Sequence, residues 1–235
     1  MTLMLASVTG PEEARLALRC GADIIDLKDP NHGALGAVPI NRVHATVNLV
    51  DQRRRVSATV GDLPPEPSQV VTAVEHTMPT GVDYIKIGFY GVGDWATCIH
   101  ALKAQARSTQ LIGVLFADQD PDLSLLTDLV DAGFQGVMFD TADKHAGGLT
   151  VHQCAAALRG FVTQAKQLGL LVGLAGSLQV SDIRSLLALG PDYLGFRSAL
   201  CDGHQRRGRL SPAAIRAVRA EIPRQIYAAA SAAIA

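Results

Sequence analysis

The chain has 235 residues, 48% of them hydrophobic and only 5% aromatic, which is enough for one large core of small aliphatic side chains. A formal net charge of -1 excludes the broad basic field that nucleic-acid binding needs and leaves small anionic ligands, which require only local charge. No stretch approaches the ~18 continuous apolar residues of a membrane span, and residues 1–7 lack the basic flank and cleavage site of a signal peptide, so the expectation is a soluble, cytoplasmic protein.

Short apolar runs recur along the chain at residues 2–7, 23–28, 56–61, 83–88, 111–116, 135–140, 170–174 and 192–196, each followed by a segment of helical pattern. Eight strands alternating with helices predict an α/β fold, a single-domain (β/α)8 TIM barrel over residues 1–222. The alanine-rich stretch 223–235 reads as a C-terminal tail, helical or disordered. Pro11-Glu12-Glu13 opens the first helix with proline and acidic residues, as the macrodipole favours.

Gly21-Ala22-Asp23, Gly81-Val82-Asp83, Gly133-Phe134-Gln135 and Gly190-Pro191-Asp192 each stand between a helical pattern and a strand, as a glycine C-cap and tight turn would. Residues 61–67 form a loop before the third helix, since the alternation continues beyond them. A doubly wound open sheet shares this alternation. The count of eight favours closure, and no G-x-G-x-x-G follows the first strand, where Ala6-Ser7-Val8-Thr9-Gly10 stands instead.

Five lysines stand against sixteen arginines, and Lys28, Lys86 and Lys144 sit at or just beyond predicted strand ends. A lone lysine there is usually a snorkelling charge. Three together point to carbonyl chemistry, because an amine can lose its proton near neutral pH and attack a carbonyl where a guanidinium cannot.

Alternate strand residues share a face, so Asp26 and Lys28 point the same way, toward the axis if the apolar residues face the helices. Strands two, four and six fill one layer of such a barrel, which brings Lys28, Lys86 and Asp140 together at its C-terminal mouth, with Lys144 four residues further on. Crowded ammonium groups lower the pKa of at least one and free an amine for a Schiff base. Asp26 and Asp140 then either shuttle protons or serve as ion-pair partners of buried lysines.

Gly173-Leu174-Ala175-Gly176-Ser177 follows the seventh strand and Gly195-Phe196-Arg197-Ser198-Ala199 the eighth. Read against plain tight turns, the two together mark a phosphate site at Gly176, Ser177, Gly195 and Ser198, with Arg197 closing a charge-assisted pair on the anion. Arg206-Arg207-Gly208-Arg209 lies on the same side and is a second, weaker candidate for the phosphate, against the reading of a solvated run. Arg53-Arg54-Arg55 falls at the opposite end, as a solvated face or subunit contact, so a homo-oligomer is open.

Cys20, Cys98, Cys154 and Cys201 are far apart, with no C-x-x-C pair, and read as reduced, part-buried thiols. His32, His44, His76, His100, His145, His152 and His204 show no metal-ligand spacing. Of these, His145 stands beside Lys144 and could reach the mouth, though a solvated or core role is the expectation for each.

At Gly21-Ala22-Asp23-Ile24-Ile25-Asp26-Leu27-Lys28-Asp29-Pro30 with Gly33-Ala34-Leu35-Gly36-Ala37, Asp83-Tyr84-Ile85-Lys86-Ile87-Gly88, Asp140-Thr141-Ala142-Asp143-Lys144 and Gly195-Phe196-Arg197-Ser198-Ala199-Leu200-Cys201, the chain resembles the (5-formylfuran-3-yl)methyl phosphate synthases of methanofuran biosynthesis. The resemblance spans nearly the whole chain to about Ala220, and the arginine- and alanine-rich composition looks like the family's bacterial branch. It implies condensation of two glyceraldehyde 3-phosphate molecules to a furan aldehyde phosphate, with loss of phosphate and water and without metal or organic cofactor. By the same resemblance Lys28 matches the Schiff-base lysine, and Lys86, Asp26, Asp140 and Lys144 match the acid, base and charge-stabilising residues. The residues by themselves also accommodate a class I aldolase, a sugar-phosphate isomerase, or a non-catalytic phosphometabolite-binding barrel.

Overall fold

The computed structural model describes residues 1–143 and 145–223. The tail expected at 223–235 lies, apart from Pro223, outside the described residues, as does Lys144.

Eight parallel strands close in sequence order: β1 (Leu3–Val8), β2 (Ile24–Leu27), β3 (Arg55–Thr59), β4 (Tyr84–Phe89), β5 (Gln110–Phe116), β6 (Gly136–Asp140), β7 (Leu171–Leu174) and β8 (Tyr193–Phe196), with β8 pairing back onto β1. The expected strands are present, each with its bounds moved by a residue or two. The helices that wrap them include α1 (Pro11–Arg19), α2 (Ile40–Val50), α3 (Pro67–Thr77), α4 (Trp95–Ala101) and α5 (Leu125–Ala132). Among the described residues no helix is long and apolar enough to cross a membrane.

Each strand sends alternate residues to two cores. Ile25 and Leu27 of β2, Ile85 and Ile87 of β4, and Val137 and Phe139 of β6 are buried between sheet and helices. Leu5, Ile24, Ile112, Met138 and Tyr193 pack inside the barrel. Burial of this area, at about 25 cal/mol per Å² of apolar surface, is the main force closing the ring. It also decides the site: once Ile25 and Leu27 face the helices, Asp26 faces the axis.

The base of the barrel is tied by the turns that the glycines open. Gly21, Gly81, Gly133 and Gly190 all take positive φ (92, 77, 85 and 73°), a region that costs glycine little. The aspartates that follow accept a main-chain N–H from the preceding odd strand: Asp23 from Met4 at 2.9 Å, Asp83 from Val56 at 2.8 Å and Asp192 from Val172 at 2.8 Å. Each also takes a cation, Arg219, Arg55 and Lys166 in turn. The arginine run is local scaffolding at this end: Arg53 and Arg54 donate to the carbonyls of Leu49, Val50, Ala22 and Arg53.

The cysteines depart in part from expectation. Cys20, Cys98 and Cys201 are buried, whereas Cys154 is exposed, and all four are free thiols. Cys154 precedes the helix Ala155–Gln167, and its position at that N-cap leaves the side chain outside the packed face.

Candidate active site

Two lysine–carboxylate pairs stand inside the upper barrel. Asp26 and Lys86, on β2 and β4, are 0% and 2% exposed, and Lys86 Nζ lies 2.5 Å from Asp26 Oδ1. Lys28, one residue beyond β2, and Asp140, which ends β6, are 7% and 2% exposed, with Lys28 Nζ 3.1 Å from Asp140 Oδ2. The three even strands thus bring four of the five expected catalytic residues together. The fifth, Lys144, lies outside the described residues, though Asp118 accepts the N–H groups of Ala142 and Asp143 at 2.7 Å and so fixes the start of its loop.

Sequence reasoning missed what holds Asp26. Ser7 and Ser57 are its direct neighbours in the ladder. They donate to its two oxygens, Ser57 Oγ to Oδ1 at 2.6 Å and Ser7 Oγ to Oδ2 at 2.8 Å. The signal was available: Ser7 is the one polar residue of β1, and both serines occupy buried inward positions, where an unpaired hydroxyl would be costly.

Burial is the largest influence on both partners of the deeper pair. It pushes Asp26 up, but the charges of Lys86 and Lys28 and the hydrogen bonds from Lys86 and Ser57 outweigh it, so the carboxyl sits below its usual range. Burial pulls the Lys86 amine below the ordinary lysine value, reinforced by Lys28 and opposed by Asp26 and Asp140. Asp26 is therefore a fixed carboxylate, and Lys86 an amine that gives up its proton more readily than a solvated one.

Asp26, Lys28, Lys86 and Asp140 line a narrow cavity open to solvent, together with Gly176, Ser177, Gly195, Arg197, Ser198 and Arg206. Gly176 turns at φ 109° with Thr141 packed behind it, where a Cβ would lie 2.9 Å from Thr141 Cγ2. Ser177 follows at φ 49°. Both residues border the cavity at the turn after β7. Neither N–H donates to an acceptor among the described residues.

Arg197 is placed otherwise than expected. All five of its N–H donors are taken by the protein: Nη1 and Nη2 pair with Glu13 of α1 at 2.6 and 3.2 Å, Nη1 also reaches Ser7 O, Nη2 reaches Gly208 O, and Nε reaches Arg206 O at 2.8 Å. A guanidinium so occupied braces a loop and has no donor left for an anion. Arg206 is the cation whose side chain extends into the rim, where Nη2 donates to Gly33 O at 3.0 Å. His145 is exposed and does not line the cavity.

Below Lys86 lies a second, mostly apolar cavity bounded by Leu3, Ile24, Tyr84, Leu171 and Tyr193, so Lys86 is floor to one space and roof to the other. Among the described residues no group of three or more His, Cys, Asp or Glu side chains is placed to hold a metal ion.

The model of the 4-HFC-P synthase family matches residues 4–219. A Methanocaldococcus jannaschii protein named (5-formylfuran-3-yl)methyl phosphate synthase is 34% identical over 221 residues, 88% of this chain and 94% of its own. A Methylorubrum extorquens protein, provisionally given the same name, is 44% identical over 212 residues, 90% of this chain and 88% of its own. Among solved structures, phosphoribosyl anthranilate isomerase of Thermus thermophilus superposes with a TM-score of 0.64 at 19% identity, covering 94% of this chain and 98% of that one, a likeness of fold.

Proposed function

The chain belongs to the 4-HFC-P synthase family, and from that premise we propose that it condenses two molecules of glyceraldehyde 3-phosphate into (5-formylfuran-3-yl)methyl phosphate, as a lyase-type synthase working through a Schiff base on Lys28. The observation that carries this reading is the pair of lysine–carboxylate couples in one cavity whose rim presents N–H groups and a cation.

Lys28 is the nucleophile because it stands one residue beyond the end of β2, toward the mouth, while Lys86 lies within β4 and is held on Asp26. Attack of the neutral Lys28 amine on a triose-phosphate carbonyl gives a carbinolamine, which loses water to the imine. Asp140, at 3.1 Å, is the carboxylate within reach to take and return those protons. Lys86 stabilises developing negative charge on substrate oxygen, and Asp26, clamped by Ser7 and Ser57, keeps Lys86 in place. Deprotonation beside the imine then gives the enamine that attacks the second aldehyde. Loss of phosphate, ring closure by a substrate hydroxyl with expulsion of the Lys28 amine, and dehydration complete the furan, with Lys144 assigned to these charge-stabilising steps and with no cofactor. Main-chain groups of Gly176, Ser177, Gly195 and Ser198 take a substrate phosphate.

Incubation with glyceraldehyde 3-phosphate alone tests this: a furan absorbance and released inorganic phosphate are expected, and reversible aldol products without phosphate release overturn it. Borohydride in the presence of substrate adds mass at Lys28. Lys28→Arg, which retains charge but not nucleophilicity, abolishes both trapping and turnover.

A further inference from the structure

We infer that Arg206 is the charged ligand of the substrate phosphate, and that Glu13 and Arg197 are positioning residues that hold Arg206 over the site. The inference rests on the phosphate-ester reading above and assigns to it one side chain of a run that the sequence offered only as a weaker candidate.

The two arginines at this rim differ in what they already hold. Arg197 has a bidentate carboxylate and three carbonyls, so its charge and donors are spent inside the protein. Arg206 has no carboxylate within 4.0 Å among the described residues and uses one donor, on Gly33 O. It nevertheless lines the same cavity as Lys28, Gly176, Ser177, Gly195 and Ser198. Burial in the cavity wall is the main influence lowering its basicity, opposed by the charge of Asp140. A guanidinium that remains a cation, is partly desolvated and lacks a counter-ion gains most from a bound anion.

Its placement is set indirectly. Arg197 Nε donates to the Arg206 carbonyl and Nη2 to that of Gly208, so the loop carrying Arg206 hangs from Arg197, which is locked to α1 through Glu13. The three residues act in series, Glu13 on Arg197, Arg197 on the Arg206 main chain, and the Arg206 side chain on the anion. The contact with Gly33 O joins the loops after β8 and β2 across the rim, so a phosphate that enlists Arg206 meets both loops.

The test is titration calorimetry of the full chain with inorganic phosphate, for wild type, Arg206→Ala, Arg206→Lys, Glu13→Gln and the Glu13→Gln/Arg206→Ala double variant, with thermal melts confirming that each is folded. Loss of a charge-assisted contact predicts roughly 10- to 100-fold weaker binding for Arg206→Ala, with partial recovery in Arg206→Lys. Glu13→Gln weakens binding by a smaller factor. The double variant binds no more weakly than Arg206→Ala alone, a non-additivity that general loss of stability does not produce. Unchanged phosphate affinity in folded Arg206→Ala overturns the assignment, and additive losses in the double variant overturn the positioning role. If wild type makes no furan yet binds phosphate through Arg206, the synthase reading falls and this one stands. Furan synthesis by wild type with Arg206-independent phosphate binding is the reverse case.

Discussion

Asp26→Asn removes the counter-charge of a lysine that has nowhere else to go. At 2.5 Å and an effective dielectric of about 20, the attraction is on the order of 6–7 kcal/mol. Desolvating the two ions offsets most of it, so the intact pair contributes little net stability. Removing one partner is different, because it leaves the Lys86 charge buried, at a cost of roughly 3–5 kcal/mol.

The amine can escape by deprotonating, which sets a ceiling on the loss. Taking a proton from an amine of ordinary pKa 10.5 at pH 7 costs about 4–5 kcal/mol, at about 1.36 kcal/mol per unit. That ceiling falls to about 2 kcal/mol at pH 9. The sign follows: with Lys86 depressed in the folded variant, the unfolded chain binds the extra proton, so stability rises with pH between the folded value and about 10.5.

Urea unfolding followed by circular dichroism at pH 7, 8 and 9 measures this. Asp26→Asn/Lys86→Met, which carries no titrating group at the pair, serves as the reference. The expected result is a single variant several kcal/mol less stable than wild type at pH 7 that gains on the double variant as pH rises. A loss under about 1 kcal/mol that does not change with pH would falsify the burial and pairing on which the argument rests.

Gly173→Ala places a Cβ 2.2 Å from Cε2 of the Tyr193 ring inside the barrel, and a destabilisation of roughly 1–3 kcal/mol is expected. A second substitution, Tyr193→Leu, should recover much of it in denaturant melts, and failure to do so would place the strain elsewhere. Ser57→Ala removes a hydroxyl donor to a buried carboxylate and is expected to cost roughly 1.5–3 kcal/mol by chemical denaturation, with imine trapping at Lys28 weakened through the shifted Asp26–Lys86 pair. Because Asp26 is held below its ordinary 3.8, its contribution is complete above about pH 4 and is lost as pH falls toward its folded value. Acid unfolding curves of wild type should therefore carry a component below pH 4 that Asp26→Asn lacks.

Much of this molecule is legible from residue order. Hydrophobic runs of strand length at regular spacing and the glycine–aspartate turns specify eight strands, because both are local signals that main-chain stereochemistry enforces. The period of two then fixes that Asp26 and Lys28 share a face. The barrel rule for alternate strands brings Lys86 and Asp140 to them, and the even strands meet as that rule requires.

What residue order could not carry is which partner each polar group takes. Ser7 and Ser57 become ligands of Asp26 only through the inter-strand register. The exchange of roles between Arg197 and Arg206 depends on Glu13, 184 positions from Arg197 in the chain. Sequence pattern places a charge on a rim, but whether it is spent within the protein or offered to a ligand is decided by long-range contacts that form only when the barrel closes. That is why the lysines were visible from the sequence alone, whereas the choice of Arg206 over Arg197 as the cation proposed to meet the phosphate emerged from the tertiary structure.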